Sequence, residues 1–133
     1  LRRQVPIHEL PLYVRDDSLV VLGPEREYVG QRPAEPLTVE AFVSTEAVFT
    51  LRGDAGTVDF RCRRAGSLLT FEASATTAVI LRLHHTTAPS AVSADGPPLR
   101  RLDGPAFARA DAGWTLEDHI VVVKARARRI EVR

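Results

Sequence analysis

The sequence predicts an all-β domain, an antiparallel β-sandwich or barrel. Segments in which apolar and polar residues alternate recur along the chain, separated by turns rich in Gly, Asp and Pro, giving about eight to ten short strands. No segment keeps helical spacing for more than about two turns, short of the usual helix of ~11 residues. The 133 residues, 44% of them apolar, suffice for one hydrophobic core. They are too few for a (β/α)8 barrel of about 250 residues.

In Leu1–Glu9, Pro6 breaks any helix, and Val5 and Ile7 alternate as in a short strand. Leu12, Tyr13 and Val14 are strand formers, and Pro11 confines that strand to a sheet edge or to its first position. Arg15, Asp16, Asp17 and Ser18 form a polar turn, and Leu19–Leu22 is an apolar run suited to a strand covered on both faces. Gly23-Pro24 ends that strand. Residues 24–36, with Gly30, Pro33 and Pro36, have linker composition, although Tyr28-Val29 can pack on a sheet face.

Leu37, Val39, Ala41 and Val43 alternate with Thr38, Glu40 and Phe42 as a half-buried strand, and Ala47–Leu51 follows after a Ser44-Thr45 turn. Gly53-Asp54-Ala55-Gly56 turns the chain into Thr57–Arg63, where Val58, Phe60 and Cys62 share one face and Asp59, Arg61 and Arg63 the other. Ala65-Gly66-Ser67 leads into Leu68–Ala73. Thr76–Leu83 is read as a separate strand with Val79, Leu81 and Leu83 on one face. Weaker strands at Pro89–Ala94 and Leu99–Leu102 flank a Gly-Pro turn, and Phe107–Ala112 is the one candidate helical turn. Trp114–Leu116 and Ile120–Lys124 are strands joined through Glu117-Asp118.

The end of the chain changes register. Val121, Val123, Ala125 and Ala127 sit at odd positions, Ile130 and Val132 at even ones, so one regular strand would turn its apolar face outward. A bulge or a turn near Arg126–Arg129 is required.

The net charge of +1 gives no general attraction to nucleic acid or anionic lipid, and neither is expected as a partner. No apolar run approaches a membrane span, and Leu1-Arg2-Arg3 is not followed by the apolar stretch of a signal peptide. Cys62, the single cysteine, forms no internal disulfide, so the default location is cytoplasmic. The chain contains no Met, which fits an excised piece of a longer protein.

Few residues offer chemistry. Neighbours on a strand point to opposite faces, so His84 and His85 do not chelate one ion together, and zinc wants three or four ligands. Cys62 lies on the apolar strand face without a catalytic signature. Asp16, Asp17, Asp54, Asp95, Asp103, Glu117 and Asp118 sit in turn contexts, where Asp commonly bonds local backbone. Lys124, Arg126, Arg128, Arg129 and Arg133 form a basic end, better read as a solvated strand face because no aromatics are interleaved. No catalytic, metal or cofactor residue is assigned. Trp114 and Tyr28 are the candidates for stacking on a sugar ring, with burial of the Trp as the competing reading.

The stretch Leu10–Gly23, LPLYVRDDSLVVLG, carries more than strand pattern. Leu10, Pro11, Leu12, Tyr13, Val14 and Arg15, a polar turn to Ser18, then Leu19, Leu22 and Gly23 resemble the segment that closes the proximal C-terminal β-domain of glycoside hydrolase family 31. That family comprises retaining α-glucosidases and α-xylosidases. The Arg15–Leu19 turn is most similar to the bacterial α-xylosidase branch, and residues beyond the motif resemble the distal C-terminal domain in pattern only. The resemblance implies that residues 1–23 are a remnant of the proximal domain, 24–36 a linker and 37–133 a distal C-terminal β-sandwich. It also implies a closing pair of strands. The family's catalytic aspartates lie on a barrel upstream of these residues.

Two functions follow. The first is a non-catalytic, structural C-terminal region of a retaining α-glycosidase acting on α-xylosidic or α-glucosidic bonds, partnered by its catalytic barrel. The second is a stand-alone β-sandwich module that binds carbohydrate or protein. Unpaired strands near residues 1–23 offer a third route, assembly into a homo-oligomer.

Overall fold

The computed structural model describes residues 13–24, 35–53 and 56–133. Eight strands and one short helix follow in the order β1 (Ser18–Leu22), β2 (Leu37–Phe42), β3 (Glu46–Gly53), β4 (Gly56–Ala65), β5 (Leu68–Leu83), β6 (Val92–Ala94), α1 (Gly104–Arg109), β7 (Gly113–Glu117) and β8 (Ile120–Val132). Among the described residues no helix is long and apolar enough to cross a membrane.

The two longest strands, β5 and β8, pair antiparallel and change neighbours partway along. The second half of β5 pairs with β2 and its first half with β4. One ladder therefore runs β1, β2, β5, β8, β7, and the other β3, β4, β5, β8, β6. The crossover point is a register shift in β5 between Glu72 and Thr77. Leu19, Val39, Leu81 and Val123 from the first ladder share one buried cluster with Ala47, Phe60, Phe71 and Ile130 from the second. This is the all-β sandwich expected from the strand pattern.

Four details differ from the sequence expectation. β5 is one strand rather than two, because Ser74–Thr76 span a bulge without breaking the strand. β2 and β5 are parallel, with Glu40 opposite Arg82, so the sheet is mixed. The chain between them passes through the β3–β4 hairpin of the other ladder and returns in the same direction. The register change near Arg126–Arg129 is no turn but lies within the single strand β8, absorbed by consecutive exposed residues Arg128 and Arg129, and the pair that closes the chain is β7–β8. Finally, Tyr13 and Val14 form no strand and stand exposed; Leu12 lies outside the described residues. No described strand pairs with them, so their β preference has no packing to act through.

The β7–β8 turn is built by Asp118 and His119, both left-handed (φ 44° and 67°), the geometry whose twist matches paired strands. β1, which the sequence assigns to the end of a preceding domain, pairs antiparallel with β2 and buries Leu19 in the common core.

Candidate functional site

The most polar half-buried cluster lies on the outer face of the first ladder. In β2, Leu37, Val39 and Ala41 face the core, which turns Glu40 and Phe42 outward. In β5, Leu81 and Leu83 face inward and Arg82 outward. The parallel register then sets Arg82 beside Glu40, with Nε 3.0 Å from Oε1. His84 Nε2 lies 2.5 Å from the other oxygen, Oε2. The His84 ring stacks on Phe42 at 4.1 Å, 13° from parallel, and Arg82 Nη1 also lies 3.8 Å from Glu117 Oε2. Both oxygens of Glu40 are engaged, so the network holds these side chains in place.

The remaining candidates are placed as follows. His85 is left-handed (φ 56°), its ring 6.5 Å from that of His84, and among the described residues no group of three metal-ligating side chains converges. Cys62 lies between Ala47 and Phe71 on neighbouring strands, and burial pushes its thiol up to about 12 against the opposing charge of Arg64. Asp17 binds the Ser44-Thr45 turn and Asp95 binds the backbone of β8. Asp59 accepts from the Thr50 hydroxyl at 2.7 Å. Asp54 lies outside the described residues.

The basic end is engaged with the protein itself. Lys124 Nζ donates to the carbonyls of Phe107 (2.9 Å) and Ala108 (3.2 Å) and lies over the Phe107 ring, pinning α1 to the sheet. Arg126 pairs with Glu35, Arg128 donates to the Ser74 carbonyl, and Arg129 pairs with Glu131. Trp114 points into the core, 5% exposed, with the Arg101 guanidinium 5.4 Å from its ring centroid. Stacking of a sugar on that ring requires Arg101 to leave. Tyr28 lies outside the described residues.

Two shallow clefts mark the surface. One, about 580 Å³, lies between α1 and the sheet beside Ile80, Arg109, Lys124 and Arg126. The other, about 460 Å³, lies beside Thr50, Asp59, Arg61 and Glu72. Lys124, Arg126 and Asp59 there are engaged in the contacts already described.

No protein-family model and no curated protein matches the sequence. Solved structures do share its fold. A GH31 dextranase of Flavobacterium johnsoniae superposes over 90% of this chain with a TM-score of 0.72 at 15% identity. The cycloalternan-forming enzyme of Listeria monocytogenes matches over 76% with a TM-score of 0.65 at 19% identity. An α-1,4-glucan lyase of Gracilariopsis lemaneiformis matches over 74% with a TM-score of 0.51 at 15% identity. The chain spans only 19%, 11% and 13% of those proteins respectively. The fold is thus shared with a segment of a family 31 glycoside hydrolase.

Proposed function

We propose that this chain is a non-catalytic β-region of a family 31 α-glycosidase, and that its role is to pack against the catalytic barrel of a longer polypeptide. One observation carries the reading: the fold extends over 90% of this chain yet accounts for 19% of the dextranase that shares it. The Leu10–Gly23 motif supports it independently, because the resemblance it carries came from residue order alone. On this reading residues 37–133 are the distal C-terminal domain, residues 1–23 are the remnant of the domain before it, and β1 of that remnant pairs with β2 of the distal sheet. Two of the structures sharing the fold are a dextranase and an α-1,4-glucan lyase, which favours an α-glucan over an α-xyloside as the parent's substrate.

The test compares this chain with the complete gene product on aryl α-glucosides and α-xylosides. The complete product is expected to hydrolyse one of them with retention of configuration, and this chain to hydrolyse neither. Turnover by the chain alone would overturn the non-catalytic role. A gene that encodes no barrel would overturn the family reading.

A further inference from the structure

An edge strand carries a row of unpaired backbone groups, and proteins guard it with charge, proline, a bulge or a covering segment. Among the described residues, three of the four edges are covered or short. Trp114 of β7 bonds the backbone of Arg100 and Leu102, β6 bonds that of Pro97 and Leu99, and β1 has only five residues. The fourth edge, β3, has eight residues and pairs with β4 alone. β1 approaches it from the other ladder without pairing. Between Glu46 and Arg52 the strand reads Ala-Val-Phe-Thr-Leu, with neither charge nor proline, and its register against β4 is unbroken by a bulge. Val48, near its middle, is 64% exposed.

Two bonds fix which way the backbone groups of β3 point. The Arg64 N–H donates to the Thr45 carbonyl at 2.8 Å, so Thr45 and every second residue after it, Ala47, Phe49 and Leu51, turn their groups towards β4. Asp59, opposite Thr50, instead donates its N–H to Ser74 Oγ at 2.9 Å, on the β5 side. Glu46, Val48, Thr50 and Arg52 therefore point theirs away from β4. Val48 and Thr50, at the centre, have no backbone partner among the described residues. A strand of this order is complementary to itself. Laid antiparallel about Phe49, Val48 of one copy faces Thr50 of the other, and the two exchange both backbone bonds. Glu46 then faces Arg52 at both ends, and opposite charges directly across a ladder stabilise it. Moving the two-fold axis to Val48 or to Thr50 takes Glu46 away from Arg52.

We propose that β3 is the seam of a homodimer, pairing antiparallel with β3 of a second copy about a two-fold axis at Phe49. A second copy is favoured over another partner because the strand carries its own complement, an acid at one end and a base at the other, equally far from the axis. The assembly runs through β3 rather than through residues 1–23, and it holds whether or not a barrel precedes this chain.

Sedimentation equilibrium of this chain and of the complete gene product tests it, over about 10 μM to about 1 mM, where a modest interface dissociates. Both are expected to show monomer and dimer in a ratio that changes with concentration. Val48→Lys, at an exposed site, is expected to raise the dissociation constant at least about tenfold while the urea midpoint of the chain stays unchanged. Glu46→Arg sets like charges opposite each other at both ends and is expected to raise it about tenfold. Adding Arg52→Glu to Glu46→Arg restores opposite charges, and is expected to bring the constant back to within about threefold of the parent chain. A strict monomer across the whole range overturns the proposal. So does a dimer indifferent to Val48→Lys, whose seam lies elsewhere, or one that the double variant does not restore, whose strands are not in this register. A complete product that stays monomeric while this chain dimerises has β3 covered by another domain, and that too overturns it. None of these outcomes touches the family reading.

Discussion

Asp95 holds Arg129 by two backbone contacts: its carboxylate Oδ1 accepts the Arg129 N–H at 2.8 Å, and its own N–H donates to the Arg129 carbonyl at 2.8 Å. The same carboxylate accepts the Arg128 N–H at 3.1 and 3.2 Å. A bulge leaves consecutive N–H groups without ladder partners, and here one aspartate takes both. Asp95→Ala is expected to cost about 1–2 kcal/mol, from the lost bonds and from an alanine forced to φ 51°. The measurement is a lower urea midpoint at unchanged slope. Asp95→Asn should cost less, because Asn tolerates that backbone and keeps one acceptor. Equal stability of Asp95→Ala and the parent chain would mean that β5–β8 pairing alone holds the bulge.

Gly113 begins β7 at φ 150°, and a Cβ there would lie 2.8 Å from Leu102 Cδ1 and 3.2 Å from the Arg100 carbonyl oxygen. The Arg100 carbonyl cannot retreat freely, since it accepts the Trp114 N–H at 3.0 Å. Gly113→Ala is expected to destabilise by about 1–3 kcal/mol and to loosen the 100–102 segment that covers Trp114. Trp114 fluorescence reports this directly, as a shift to longer wavelength in the folded variant. An unshifted spectrum at unchanged stability would show that Leu102 repacks without cost.

The strand pattern was legible wherever one side of a strand meets the core and the other meets water. β2 and β4 alternate in burial as they do in polarity. The parity change between Ala127 and Ile130 likewise required a bulge or turn, and the structure meets it with the register shift against β5 between the Glu72–Arg129 and Thr77–Ala127 pairs. Ser74–Thr76 misled because Ser and Thr mark turns on local grounds, whereas long pairing with β8 carries the strand through. Tyr13 and Val14 misled in the opposite sense, as strand formers without a partner strand.

The polar cluster was not legible. Glu40 and Arg82 are far apart in sequence and meet through a parallel register that no local pattern encodes. Trp114 was ambiguous for a different reason. Its neighbour Thr115 is also buried, so β7 lacks the alternation that tells an inward ring from an outward one.

Acid should break the bonds from Asp17 to the Ser44-Thr45 turn. The Thr45 backbone N–H, above all, holds its carboxyl below the usual 3.8; the Thr45 hydroxyl and the N–H groups of Ser44 and Glu46 add to this, against a smaller opposing effect of desolvation. A carboxyl lowered in the fold contributes stability above its unfolded value, near 3.8, and loses that contribution as pH falls through the lower folded value. The Ser44 and Thr45 amide proton shifts should therefore titrate with a common midpoint below 3.8, and that step should vanish in Asp17→Asn. A midpoint at or above 3.8 would mean that the bonds to Ser44 and Thr45 are not held in solution.

Cys62 gives the complementary test at high pH. Its thiol is raised from about 9.0 to about 12, chiefly by burial, so the folded chain keeps the proton over a range in which the unfolded chain has lost it. The sign is opposite to that for Asp17: the contribution is complete below 9.0 and is lost as pH rises towards 12. The thiolate is the reactive form, so a disulfide reagent at about pH 8.5 should label the folded chain only as fast as the core opens, and the urea-unfolded chain at once. Destabilising the fold elsewhere, as with Gly113→Ala, should speed labelling in proportion to the population opened, without touching Cys62 itself. Rapid, stoichiometric labelling of the folded parent chain would instead place the thiol within reach of solvent. The β3–β4–β5 side of the core would then open independently of the rest.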